Sequence, residues 1–298
     1  MTIKKSGFVA IVGRPNVGKS TLLNALLGEK VSIISPKPQT TRWQVLGIKT
    51  TDDAQIIYID TPGMHQEEKR AMNRYMNRVA NAALHEVDVV VFLVEAMAWY
   101  EDDALVLKNL AVLQDLKKPV ILAINKIDLI KDKALLLPFM KTMEEKFDFL
   151  HIIPIAAKQS TYIEGLEQEI IKLLPEGPAL YPVDQITDKS ERFQIAEIIR
   201  EKIIYATAEE LPYATTVEIE QLTQTEKVTE ISAVIWVERP GQKVIVIGKG
   251  GAKLKRVGMQ ARKEIEALLG TKVFLRLWVK VKAQWSDDDK ALKGLGYE

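Results

Sequence analysis

The sequence predicts an α/β protein: a mostly parallel six-stranded sheet with one antiparallel strand and helices on both faces, then a smaller α+β domain ordered αββααβ. Three observations carry that expectation. From Phe8 to about Leu174, short runs rich in β-branched residues alternate with longer helical patterns. At Leu174 the composition changes, with Pro175, Gly177, Pro178 and Pro182 in a short polar stretch that cannot continue a helix. Beyond Ser190 the patterns come in a new order, and 298 residues suit about two domains.

The strands expected in the first part are Phe8 to Val12, Val45 to Thr50, Gln55 to Asp60, Asp88 to Val94, Val120 to Asn125 and His151 to Ile155. Helical stretches begin near Lys19, Lys69, Asp102, Asp132 and Ile163. The second and third strands are separated by only about four residues, too few for a crossover helix, so they form an antiparallel hairpin. The second part offers a helical segment (Glu191 to Glu209), two strands (Thr215 to Gln221, Val228 to Glu238), a glycine-interrupted helical stretch (Gln242 to Leu269) and a strand (Lys272 to Lys282). The expected divisions are residues 1–175, a linker 176–190, a second domain 191–285 and a solvated acidic tail 286–298 carrying Asp287, Asp288 and Asp289.

With 47% hydrophobic and 27% charged residues, the composition is that of an ordinary globular protein. The net charge of +1 shows no whole-molecule field for nucleic acid or membrane. Cysteine is absent, which excludes disulfides and thiolate catalysis and fits a reducing compartment. No apolar run approaches the roughly 18 to 20 residues that span a bilayer, and Met1 to Ser6 show no signal-peptide pattern, so a cytoplasmic protein is expected.

The first strand runs into Gly13-Arg14-Pro15-Asn16-Val17-Gly18-Lys19-Ser20, the pattern G-x-x-x-x-G-K-[ST] between a strand and a helix. Glycines let the backbone wrap a phosphate chain, and the helix starting near Lys19 adds its positive dipole end. Lys19 supplies a point charge for β- and γ-phosphates, and Ser20 a hydroxyl for Mg²⁺. At the end of the third strand stands Asp60-Thr61-Pro62-Gly63, where Asp60 can hold a metal-bound water and Gly63 can offer an N–H to the γ-phosphate. Such a cluster is also ordinary turn chemistry, and its place one hairpin after the phosphate loop favours function. The fifth strand delivers Asn125-Lys126-Ile127-Asp128, whose carboxylate can accept the N1–H and 2-amino group of guanine. Adenine would leave that acid unsatisfied, at a cost of about 1 to 3 kcal/mol or more.

These motifs, in this order, resemble the translation-factor-like GTPases. The resemblance implies a switch threonine in Gln39-Thr40-Thr41-Arg42 that completes the Mg²⁺ shell, Thr41 being favoured over Thr40, and a nucleotide contact at Thr21. It puts Met64 where signalling GTPases carry a water-orienting glutamine, so hydrolysis must be positioned otherwise. Arg14-Pro15-Asn16 resembles the subgroup in which the asparagine helps hold K⁺ beside the phosphates; Asn16 also reads as a loop asparagine bonding its own backbone. The usual Ser-Ala motif is replaced by Ala156-Ala157-Lys158, where the Ala157 N–H is the candidate donor to guanine O6. His65, Glu67, Glu68 and Glu95 read as surface or capping positions without chemistry.

The charge average conceals a basic stretch. From Glu191 to Gln242, five basic residues stand against ten acidic; from Lys243 to Lys282, eleven basic stand against Glu264 and Glu266, a balance of +9. Inside it lies Gly248-Lys249-Gly250-Gly251, followed by Lys253, Lys255 and Arg256 at the opening of a helix. A Gly-x-x-Gly loop with flanking cations is how K-homology (KH) domains clamp about four nucleotides, and the αββααβ order resembles their type II form. Phe274, Arg276, Trp278, Lys280 and Lys282 alternate with the apolar Val273, Leu275, Leu277, Val279 and Val281, which leaves open whether Phe274 and Trp278 meet nucleotides, cover the sheet or contact the first domain; Trp285, just beyond, is a stacking candidate.

The pairing of domains, from about Gly7 to Trp285, resembles the bacterial Era GTPase family. The resemblance implies a GTPase using GTP, Mg²⁺ and K⁺, which binds the 3′ end of 16S rRNA, assists assembly of the 30S ribosomal subunit, associates peripherally with the inner membrane and has no DNA partner. The alternative is an RNA-binding or membrane-associated scaffold whose nucleotide site scarcely turns over. A tRNA-modification GTPase is disfavoured because that family's catalytic cysteine is missing, and an ATP-dependent kinase is disfavoured by Asn125-Lys126-Ile127-Asp128.

Overall fold

The computed structural model describes residues 3–37, 40–63, 70–115, 118–207, 214–225 and 227–297; Gln39, Met64, His65, Glu67 and Glu68 lie outside them. The chain forms two compact units, one of residues 1–34, 41–68 and 73–188, the other of residues 35–40, 69–72 and 189–298.

The first unit is built on strands β1 (Lys5–Val12), β2 (Val45–Thr50), β3 (Ala54–Asp60), β4 (Val89–Glu95), β5 (Val120–Asn125) and β6 (His151–Pro154). Their order across the sheet is β2-β3-β1-β4-β5-β6. β2 pairs antiparallel with β3, as the short connection predicts, and every other pairing is parallel. The middles of the central strands are apolar runs because both faces are covered, and their polar residues stand mainly at the ends. On β1, Val9 and Ile11 meet Leu22, Leu23 and Leu26 of α1 (Lys19–Leu27) and Leu166 and Ile170 of α5 (Ile163–Leu173). Ala10 and Val12 face the opposite layer, where Ala80 and Leu84 of α2 (Ala71–His85), Val106 and Leu110 of α3 (Glu101–Asp115) and Met143 of α4 (Leu136–Glu144) pack. Each such large side chain removed from water contributes about 1.5–3 kcal/mol. The parallel strands all end on one rim, which is where open α/β sheets bind ligands.

Residues 176–188, expected as a linker, are sewn to this unit. The buried Gln55 side chain accepts from the amides of Leu180 (2.7 Å) and Tyr181 (2.9 Å) and donates to Tyr181 O (2.9 Å). Ile48 N donates to Ile186 O (2.7 Å), and Leu46 N to Asp188 Oδ1 (3.1 Å).

The second unit contains α6 (Glu191–Ala206), β7 (Thr215–Gln224), β8 (Thr229–Val237), α7 (Pro240–Ile247), α8 (Ala252–Leu269) and β9 (Val273–Val281), in the αββααβ order the sequence predicts. Its sheet runs β7-β8-β9, with β7 antiparallel and β9 parallel to β8. Ile195 and Ile199 of α6 and Val257, Ala261 and Ile265 of α8 cover Ile231, Ile235 and Val279 of the sheet. Two short pieces from earlier in the chain belong here. Arg200 on α6 donates to the carbonyl of Thr40, Lys37 donates to that of Thr207, and Ala71 N donates to Asp287 Oδ1 at 3.0 Å.

Two expectations are corrected at the C-terminus. Residues 286–297 are a folded segment rather than a tail, although Asp287, Asp288 and Asp289 are exposed as expected: Trp285–Asp287 forms a 3-10 turn and Asp289–Gly294 a helix, α9, with Leu292 and Tyr297 buried. Asp288 caps α9, accepting from the amides of Lys290 (2.7 Å) and Ala291 (3.1 Å), and these bonds hold its carboxyl below the usual range. Trp285 is 0% exposed, stacks on Tyr297 with ring centroids 6.1 Å apart and donates to Ala214 O, so its ring faces are closed to a base. Its indole is core, and Trp285→Ala is expected to cost about 3–5 kcal/mol of stability, measured by denaturant unfolding.

Candidate nucleotide and RNA sites

The loop after β1 carries the phosphate-binding pattern on the ligand-binding rim. Gly18 sits at φ 110°, and a Cβ there would lie 2.4 Å from Asn125 Nδ2, so both conformation and space demand glycine. Gly63 likewise approaches Pro15, whose backbone N a Cβ would meet at 2.8 Å; this close approach brings the Asp60–Gly63 segment against the phosphate loop. Asn16 takes a left-handed conformation at φ 60°. Lys19 donates to the carbonyls of Gly13 (2.8 Å) and Arg14 (3.0 Å), and burial pulls its ammonium down to about 8. A buried ammonium resting on two neutral carbonyls is poised for a better anion.

Beside it is a cluster of hard oxygens. Ser20 Oγ lies 2.7 Å from Thr41 Oγ1 and donates to Asp60 Oδ2 at 2.7 Å, which also accepts from Ser32 Oγ at 2.8 Å. Burial raises the Asp60 carboxyl, against the pull of Ser20, Lys19 and Ser32. Its Oδ1 is buried and has no hydrogen-bond partner among the described residues. Three hydroxyls around one carboxylate, whose second oxygen is left over, fit a hard divalent cation and its waters. Thr40 turns away, donating to Lys37 O at 2.6 Å with Ser35 Oγ at 2.6 Å, so Thr41 is the threonine in the cluster.

The rim of β5 positions the base motif. Asn125 Nδ2 donates to Val17 O (2.9 Å), while its Oδ1 accepts the Ala157 amide (3.0 Å). This corrects the reading of Ala157: its N–H is engaged by Asn125 rather than left for a guanine oxygen. Ile127 is buried beneath the motif. Asp128 is half-buried, and its carboxylate has no protein partner among the described residues, which leaves it for a ligand. Lys126, at φ 66°, donates to Glu95 Oε2 at 2.8 Å, and Arg14 Nη2 reaches the same oxygen at 2.6 Å. Burial pushes Glu95 upward, but these two cations more than offset it and leave the carboxyl below its ordinary value. Glu95 has no motif of its own, and only its place at the end of β4 could have drawn attention to it. Ser32 is a second residue missed in the sequence.

In the second unit, Gly248–Gly251 joins α7 to α8 through a 3-10 turn at Lys249–Gly251, with Gly248, Gly250 and Gly251 all at positive φ. Lys249, Lys255 and Arg256 are exposed and Lys253 half-buried; none has a carboxylate partner among the described residues. Val244 and Ile245 on α7 are 68% and 45% exposed beside this loop, giving it an apolar flank that the sequence did not distinguish from core. Phe274 and Trp278 also stand partly exposed on β9.

Residues 8–126 match the family model of the 50S ribosome-binding GTPase, and residues 210–286 that of the KH domain. A GTPase Era from Marinobacter nauticus is 54% identical over 292 residues, covering 98% of this chain and 95% of its own. One from Pseudomonas fluorescens is 54% identical over 296 residues, covering 99% and 98%. The chain belongs to the Era GTPase family. Among solved members of that family, a tyrosine-to-alanine variant of Aquifex aeolicus Era bound to GDP·AlF4⁻ superposes with a TM-score of 0.94 at 42% identity, covering 98% of this chain and 99% of its own. Era in complex with MgGDPNP and nucleotides 1506–1542 of 16S ribosomal RNA superposes at 0.95, also at 42% identity and covering 99% of each chain. The motifs of an Era-type GTPase converge here on one rim. Gly18→Ala would push a methyl group into Asn125 and is expected to weaken nucleotide binding more than tenfold, read by titration with a fluorescent guanine nucleotide.

Proposed function

We propose that this chain is a GTP-hydrolysing switch that binds the 3′ end of 16S rRNA through its KH domain and assists assembly of the 30S subunit. The observation that carries the reading is the pairing, on one chain of the Era family, of an Asp128 beside a phosphate loop with a KH loop of exposed cations, none of them partnered among the described residues. Lys19 holds β- and γ-phosphate oxygens, and the backbone of residues 13–21, whose N–H groups other than at Pro15 are donors, lines the chain of phosphates. Ser20 and Thr41 would hold Mg²⁺ directly and Asp60 through a water, and the ion, when bound, would supply positive charge against that developing on the phosphates. Gly63 offers its N–H to the γ-phosphate, and Asn125, Lys126, Ile127 and Asp128 form the guanine pocket. Asn16 holds K⁺. Gly248, Lys249, Gly250, Gly251, Lys253, Lys255 and Arg256 clamp the RNA backbone.

The chain changes state when Thr41 and the residues before it are ordered around the γ-phosphate. That residues 35–40 fold with the KH-bearing unit, through Arg200 and Thr40, supports a coupling of nucleotide state to RNA binding. Working on ribosomal RNA, the chain acts in the cytoplasm, and any association with the inner membrane is peripheral. Among the described residues no helix is long and apolar enough to cross a membrane.

GTP hydrolysis at fixed potassium is expected to rise with an oligonucleotide carrying the 3′ end of 16S rRNA and not with a scrambled one. Replacing Lys249 and Gly250 together by Asp should abolish the stimulation while leaving GTP affinity intact. Turnover that stays negligible with either RNA would favour the scaffold reading. Hydrolysis is also expected to run faster in potassium than in sodium; equal rates would remove the role given to Asn16.

A further inference from the structure

We infer that Glu95 is a positioning residue for guanine-nucleotide binding, its single carboxylate tying the phosphate loop to the base motif. The inference rests on the GTP reading above. β4, which ends at Glu95, lies in the sheet between β1, which feeds the phosphate loop, and β5, which feeds the base motif. Glu95 pairs in register with Asn125, and the next amide, Ala96 N, donates to Asn125 O at 2.8 Å. The carboxylate thus stands on the rim midway between two loops that are more than a hundred residues apart in sequence. One of its oxygens, Oε2, accepts from Arg14 Nη2 at 2.6 Å and from Lys126 Nζ at 2.8 Å.

Arg14 is gripped on its other sides as well. Its Nε lies 3.3 Å from Asp103 Oδ2, and its guanidinium carbon lies 4.4 Å from the centre of the Tyr100 ring. Asp103 is itself fully buried and accepts from Tyr100 N at 3.0 Å. The guanidinium is therefore turned onto β4 and the start of α3, and its cation is neutralised there. Lys126 holds a left-handed backbone conformation that a non-glycine residue adopts at a cost, and its side chain is anchored by the same oxygen.

A carboxylate with 26% of its side chain exposed is a poor determinant of the fold, because partly solvated ion pairs contribute little to stability. What it fixes is the spacing between the loop that takes the phosphates and the residue that flanks the base. A nucleotide spans both, so loosening the tie weakens GDP and GTP alike and leaves the γ-phosphate chemistry untouched. The expected pattern is a loss of binding without a loss of turnover.

The test uses the full chain with Glu95→Ala and Glu95→Gln, the latter keeping a neutral acceptor. Dissociation constants for fluorescent GDP and a non-hydrolysable GTP analogue are expected to rise about tenfold in Glu95→Ala and less in Glu95→Gln. KM should follow, while kcat at saturating GTP and the melting temperature stay near those of the parent. In an Arg14→Ala background the effect of Glu95→Ala should shrink, because one of the two anchored groups is already gone. Unchanged affinity in Glu95→Ala would overturn the inference while the GTP reading stands. So would kcat, affinity and melting temperature falling together, or full additivity with Arg14→Ala. A parent protein that failed to bind guanine nucleotides would overturn both readings.

Discussion

The side-chain amide of Asn125 is held on both sides: Nδ2 donates to the Val17 carbonyl in the phosphate loop, and Oδ1 accepts from Ala157 after β6. Three loops that leave different strands are thereby locked to one buried planar group. The constraint propagates, because Gly18 has no room for a side chain against that amide, and Gly63 has none against Pro15. Positions that look independent in the sequence answer to one geometry. A buried amide satisfied on both sides is also stiff, since losing either partner leaves a polar group stranded in the interior.

The two units handle phosphate in different ways. In the first, Lys19 is buried and rests on carbonyls of its own loop, and burial lowers the affinity of its amine for the proton while leaving it a cation at neutral pH. In the second, the cations around Gly248–Gly251 stand in solvent without carboxylate partners among the described residues. The first arrangement holds one cation in a fixed, buried place among polar groups. The second offers a long polyanion an attraction that salt screens readily.

Much of this was legible in the sequence because backbone-driven patterns are local. The parallel strands announce themselves as β-branched runs, the hairpin follows from a connection too short for a helix, and the phosphate loop, Asp60–Gly63 and Asn125–Asp128 sit at strand ends. The failures share one cause: side chains whose partners are remote. Three consecutive aspartates suggest solvent, yet Asp288 caps a helix and Asp287 accepts an amide from Ala71, while Trp285 finds Tyr297 and becomes core. Ala157 needed no side chain to donate its N–H, but nothing nearby revealed that Asn125 would take it. Glu95 lacks a motif because its meaning comes from strands that flank it in space.

The segment 176–188 also explains how the first sheet ends. β2 is its outermost strand on that side, and a bare strand edge offers a row of amides and carbonyls to any passing chain. Here Ile186 and Asp188 take those amides, and the buried Gln55 fastens Leu180 and Tyr181 to the neighbouring strand. The covering segment carries Pro178 and Pro182, which have no N–H to pass on. A stretch whose composition marks it as a spacer thus serves as a hem: it occupies amides on the outer edge of β2 that would otherwise face solvent.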